Sequence, residues 1–155
     1  MLTLTAAAQK MGRQNTEADL SIVPLATLVS FNGKIHWAGA SSDFDEQSLK
    51  DLGVEPQMVD QQGATVLPAF VECHTHSVFS GSRAHEFEWR MQGKTYQEIS
   101  AKGGGILPTV KAPRAASESE LLSLTQMRMD RFLKQGITTV EIKSGYGLDL
   151  ETEIK

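Results

Sequence analysis

His74 and His76 stand two positions apart at the end of an apolar, β-branched run, Thr65-Val66-Leu67 followed by Phe70-Val71. Side chains alternate across an extended strand, so Glu72, His74 and His76 fall on one face while Cys73 and Thr75 fall on the other. Neutral imidazole is a common ligand of zinc or iron, and two such rings at a strand's C-terminal end can reach one ion without bending the chain. A His-x-His pair taken alone is more often two polar residues of a surface loop. Its place at the end of an apolar strand favours metal ligation, because barrel active sites lie at the C-terminal strand ends. A catalytic zinc ion usually takes three protein ligands and a water, so this pair is part of a site rather than the whole of one.

Two further residues have chemistry to offer at the same edge. Arg83 ends the small-residue loop Ser80-Gly81-Ser82-Arg83 that leaves the histidine strand, and its guanidinium can bond a carboxylate bidentately. The plain alternative is a solvated surface charge. Tyr146, in Ser144-Gly145-Tyr146-Gly147, follows a second strand, and its flanking glycines permit an unusual backbone from which the phenol can donate a hydrogen bond. Its alternative is a packed loop aromatic. Cys73 points away from the histidine face and reads as a packed thiol, and His36 beside Trp37 and His85 beside Glu86 read as surface or packing histidines. Gly103-Gly104-Gly105 is not a phosphate loop, since it follows a helical stretch and no Gly-Lys-Ser/Thr comes after it.

The elements that must position these residues can be read from local signals. Residues 1 to 19, ending in the polar run Gly12-Arg13-Gln14-Asn15-Thr16-Glu17, have no apolar periodicity and read as a loose lead-in. Asn32-Gly33 between Leu28-Val29-Ser30-Phe31 and Lys34-Ile35-His36-Trp37-Ala38 predicts a β-hairpin. A short helix is possible from Asp45 to Leu52, ended by Gly53 and Pro56. Pro68 interrupts the strand before the histidines and places its first half at an edge or bend. Glu86 to Lys102 is helix-permissive, and Pro108 and Pro113 predict an extended or looped stretch beyond the glycines. Ser117-x-x-Glu120 has the form of a capping box and starts a helix at Glu118, with Leu121, Leu122, Met129, Phe132 and Leu133 on one stripe and Gly136 at its close. Ile137 to Ile142 is then a β-branched strand, which completes a βαβ unit, the start of a parallel sheet or barrel.

Composition limits the partners. A chain 40% hydrophobic and 22% charged is composed like a soluble globular protein with a core. Fifteen basic against nineteen acidic residues, with no Lys/Arg-rich run, argue against nucleic acid. The single cysteine excludes an intrachain disulfide and is consistent with a cytoplasmic protein. The opening residues lack a basic n-region, and no stretch approaches the roughly 20 apolar residues of a membrane span.

Specificity comes from the longer motif Pro68-Ala69-Phe70-Val71-Glu72-Cys73-His74-Thr75-His76-Ser77-Val78-Phe79-Ser80-Gly81-Ser82-Arg83, which resembles the first-strand signature of imidazolonepropionases. Glu86-Phe87-Glu88, Gly103-Gly104-Gly105-Ile106-Leu107, and Thr138-Thr139-Val140-Glu141-Ile142-Lys143-Ser144-Gly145-Tyr146-Gly147-Leu148 resemble that family in order and spacing. The departures are Ala69 where the family usually has Gly, Glu72 where it has Asp, and the prolines at 108 and 113.

The resemblance implies an α/β fold, the start of an amidohydrolase-type (β/α)8 barrel preceded by part of a small β-sandwich domain. Residues 1–19 would then be the lead-in, 20–64 part of the sandwich, and 65–155 the first strands and helices of the barrel. It implies hydrolysis of the ring amide of 4-imidazolone-5-propanoate to N-formimidoyl-L-glutamate in histidine degradation. One divalent or trivalent ion, zinc or iron, would be held by His74 and His76, while Arg83 and Tyr146 match substrate-binding positions. A barrel usually needs about 250 residues, so the chain is expected to be an N-terminal fragment, inactive alone, with the catalytic residues and the other metal ligands beyond Lys155. A small-molecule substrate, no nucleic acid, no membrane and a possible homodimer of the full-length protein complete the expectation. The rivals are another cyclic-amide hydrolase or deaminase of the amidohydrolase superfamily, and a non-catalytic remnant domain.

Overall fold

In the computed structural model, which describes residues 1–11, 13–53 and 55–155, the contacts fall into two units, Met1–Pro68 and Ala69–Lys155. The first unit contains the hairpin that Asn32-Gly33 predicts. Strands β1 (Ala26–Phe31) and β2 (Lys34–Ala40) pair antiparallel with a bulge between Val29 and Ser30. Asn32 and Gly33 have φ of +48° and +73°, the conformation in which a two-residue turn matches the twist of its strands.

The segment 1–19 is more ordered than a loose lead-in. It carries α1 (Thr5–Gln9) and runs into a 3-10 turn at Glu17–Leu20, while the Leu2 N–H bonds the Val66 carbonyl at 2.8 Å. Asp19, buried, accepts from Lys10 Nζ at 2.8 Å and from the Thr16 N–H at 2.6 Å. Those bonds, Lys10 first, lower its pKa to about 2. Polar bonds hold this stretch, so apolar periodicity could not reveal it. Gly12, at the head of the polar run, lies outside the described residues. A short helix α2 (Gln47–Asp51) falls inside the window read for it.

The second unit is built on a parallel pair, β3 (Phe70–Thr75) and β4 (Ile137–Ile142), with Phe70 opposite Ile137, Glu72 opposite Val140 and Thr75 opposite Ile142. Residues Thr65 to Leu67 are not part of β3. Pro68 has no N–H to donate, and the pairing opens with the Phe70 N–H on the Gly136 carbonyl at 2.8 Å. Between the strands come α3 (Ala84–Met91), α4 (Tyr96–Ala101), α5 (Ile106–Ala115) and α6 (Glu118–Lys134). Thr95 and Glu98 form a reciprocal capping box at the start of α4.

The stretch through Pro108 and Pro113 is a helix, not the extended or looped segment that the prolines predict. Pro108 occupies the first turn, where a backbone N–H has no intrahelical partner to lose. Pro113 lies near the end and is buried, as is Val110, so packing offsets the one forfeited bond. Helix α6 begins at Glu118 as expected, but only the serine half of its box forms: Ser117 Oγ accepts from the Glu120 N–H at 3.2 Å. Its buried face also differs from the stripe read from apolar spacing. Leu121 is 4% exposed, whereas Leu122 and Leu133 are 69% and 63% exposed. The inward face follows Leu121, Leu124, Thr125, Arg128, Met129 and Phe132. Arg128 lays its guanidinium on the Phe79 ring at 3.6 Å, a contact that hydropathy does not count. Gly136 closes the helix at φ +81°.

Candidate metal and substrate site

Parallel pairing brings the C-terminal ends of β3 and β4 to one edge, where the Lys143 N–H donates to the Thr75 carbonyl at 2.8 Å. His74 lies in the last pleat of β3, and the two loops that leave this edge carry Arg83 and Tyr146. The His74 and His76 rings come together, with centroids 5.5 Å apart and planes at 76°. His74 is exposed, and its backbone N–H donates to Glu72 Oε1 at 3.1 Å. His76 is half-buried, and its Nδ1 is buried without a hydrogen-bond partner. A buried ring nitrogen with no partner is a standing cost that an ion or a donor would relieve. These residues therefore fit part of a zinc or iron site. Among the described residues no third His, Cys, Asp or Glu joins the pair in metal-binding range.

Tyr146 lies beside them. Its ring centroid is 5.2 Å from that of His76 and 6.1 Å from that of Phe79. The approach depends on Gly145, where a Cβ would stand 3.1 Å from the His76 ring. Tyr146 also lines a cavity of about 350 Å³ together with Phe79, Arg83, Pro108, Thr109 and Ala112. Arg83 and Tyr146, the two residues the family resemblance marks for substrate, thus share one cavity whose lining also includes residues of the unexpected helix α5. A carboxylate entering it would meet a cation and a phenol, in a space that suits a small ligand.

Arg83 is held in place by a carboxylate that is not among the site residues expected from the sequence. Glu86, buried at 4% exposure, accepts from Arg83 Nη2 at 2.5 Å and from the Gly105 N–H at 3.0 Å. It ties the arginine to the start of α5. The Arg83 guanidinium beside it, assisted by the Gly105 N–H, holds the Glu86 carboxyl below its ordinary value, and the same ion pair raises that of Arg83. The Arg83-x-x-Glu86 spacing was a sequence signal for this pair, because residues three apart neighbour each other on a helix. Arg128 braces the loop from the other side through a 2.8 Å bond to the Ser77 carbonyl. Cys73 is exposed rather than packed, since the two-stranded sheet leaves that face of β3 open. His36 packs edge-on against Phe31, and His85 edge-on against Trp89.

No family model matches the chain. Among curated relatives, it is 50% identical over 155 residues to an imidazolonepropionase of Bdellovibrio bacteriovorus, covering 100% of this chain and 36% of that protein. It is 46% identical over 140 residues to that of Pseudomonas entomophila, covering 90% of this chain and 33% of the relative. It is 52% identical over 124 residues to that of Colwellia psychrerythraea, covering 79% and 29%. Identity at this level along so much of the chain does not arise from a shared His-x-His alone. By sequence the chain is related to the imidazolonepropionases along most or all of its own length, and it spans about a third of theirs.

Proposed function

We propose that the protein to which this chain contributes is an imidazolonepropionase, hydrolysing the ring amide of 4-imidazolone-5-propanoate to N-formimidoyl-L-glutamate. The observation that carries the reading is the adjacency of the two groups of residues: Arg83 and Tyr146 line one cavity, and Tyr146 lies against His76. In this reading His74 and His76 hold the metal ion, zinc or iron. A bound ion would supply Lewis acidity toward the ring carbonyl and a water of lowered pKa. Arg83, pre-set by Glu86, binds the propionate carboxylate, and Tyr146 donates its phenol hydrogen to the same ligand. Fixing the tail in this way orients the ring toward the histidine edge and turns binding energy into alignment.

The parallel β3-to-β4 unit, with both loops at one edge, supports a (β/α)8 barrel as the setting, of which these would be the first strands, and the hairpin unit supports a small β domain before it. The remaining metal ligands and the catalytic residues would come from the part of the relatives' length that this chain does not span. The test is turnover of 4-imidazolone-5-propanoate by the whole protein beside a hydantoin. Hydrolysis of the imidazolone with little of the hydantoin is expected; the reverse preference would move the protein to another cyclic-amide hydrolase.

A further inference from the structure

The loop that carries Tyr146 is held by a carboxylate from the helix that follows it. Glu153, on α7 (Leu150–Ile154), turns back over Gly145-Tyr146-Gly147-Leu148. Its Oε2 accepts from the Gly145 N–H at 2.8 Å, and its Oε1 accepts from the Gly147 N–H at 2.8 Å and the Leu148 N–H at 2.9 Å. The three donors bracket Tyr146, so one carboxylate fixes the backbone on both sides of the phenol. Bonds of this kind to an ionised acceptor are stronger than neutral ones, and the Leu148 N–H above all holds the Glu153 carboxyl below its ordinary value.

The loop needs such a clamp because little else holds it. Leu148 adopts φ +58°, a left-handed conformation unfavourable for leucine. A Cβ on Gly147 would stand 2.8 Å from that of Thr152, so the loop is pressed on α7 on one side, while Gly145 is pressed on the His76 ring on the other. A shift of the loop would carry the phenol away from both His76 and the cavity. Arg114 adds one further bond, from Nε to the Gly147 carbonyl at 2.8 Å, and pairs with Asp149 at 2.8 Å.

We infer that Glu153 is the positioning residue of the Tyr146 loop, setting where the phenol stands beside the cavity and thereby the affinity for a carboxylate-bearing substrate. The inference rests on the reading of Tyr146 as a substrate residue. It is tested in the whole protein with Glu153→Ala and Glu153→Gln, each alone and combined with Tyr146→Phe, by steady-state kinetics on 4-imidazolone-5-propanoate and by amide hydrogen exchange of residues 145–148. Glu153→Ala is expected to raise KM about tenfold with a smaller change in kcat, as loss of charge-assisted bonds implies. Glu153→Gln, which keeps one oxygen for the Gly147 and Leu148 donors, is expected to do less. Exchange at Gly145, Gly147 and Leu148 should accelerate. In the Tyr146→Phe background Glu153→Ala should add less than about twofold, because the effect passes through the phenol. The same KM factor in both backgrounds, or unchanged exchange, would overturn the inference. If the unsubstituted protein fails to turn the substrate over, the functional reading falls, and hydrogen exchange still decides whether Glu153 holds the loop.

Discussion

Replacing His74 or His76 by alanine in the whole protein is expected to abolish binding of the zinc or iron ion proposed for this site, measured by elemental analysis after exhaustive dialysis. Stoichiometric metal in the double variant would remove the pair from the site. Arg83→Ala is expected to cost about 1.5–3 kcal/mol of transition-state binding, the range for a hydrogen bond to a charged group. That corresponds to roughly a tenfold to hundredfold fall in kcat/KM. Unchanged kinetics would return Arg83 to the status of a surface charge. Glu86 has a different signature, because its folded carboxyl titrates below the ordinary value of 4.5 that the unfolded chain would show. Between those two values the unfolded state binds more protons, so stability rises with pH there. The contribution is complete above about 4.5 and is lost as pH falls through the folded value. Glu86→Gln should flatten that acid limb in denaturation curves taken from pH 3 to 6, and a limb of unchanged slope would show that the Arg83–Glu86 pair contributes nothing to folding.

Single backbone positions decide where the helices end and the strands begin. Gly136 terminates α6 at φ +81° and feeds β4, with the Phe70 ring 3.6 Å from where a Cβ would stand. Space for a methyl group is therefore available and the left-handed backbone is not, so Gly136→Ala is expected to destabilise by about 1–2 kcal/mol. A lower urea midpoint at constant slope is the measurement; an unchanged midpoint would mean that the helix end has relaxed into another geometry. Helix α5 makes the opposite point. Its two prolines fit because Pro108 stands where no N–H is required and Pro113 is packed near the C-terminal end. The helix they were expected to prevent lines the same cavity as Arg83.

At the scale of the whole molecule, much apolar surface is left open. Phe70, Val71, Leu122, Leu133 and Ile142 are all exposed, and among the described residues β3 and β4 form a sheet of two strands with neither outer edge paired. Residues 1–155 by themselves are expected to self-associate and to show no imidazolone turnover, since open strands and apolar patches template further contacts. Size-exclusion chromatography with light scattering, run beside the assay, checks this, and a monodisperse monomer with turnover would refute it. Local signals were enough for the hairpin, the start and stop of α6 and the strand character of β3 and β4, because turn chemistry, capping and β-branching act over a few residues. The convergence of His74 and His76 was legible for the same reason, since strand alternation needs no tertiary contact. The tertiary structure alone decided the rest. The buried face of α6 follows Arg128 stacked on Phe79, which hydropathy scores as polar. Glu86 acts on a backbone N–H 19 residues away, and Glu153 on one 8 residues away. A backbone donor carries no side-chain signature, so no spacing in the sequence announces that a carboxylate will find it.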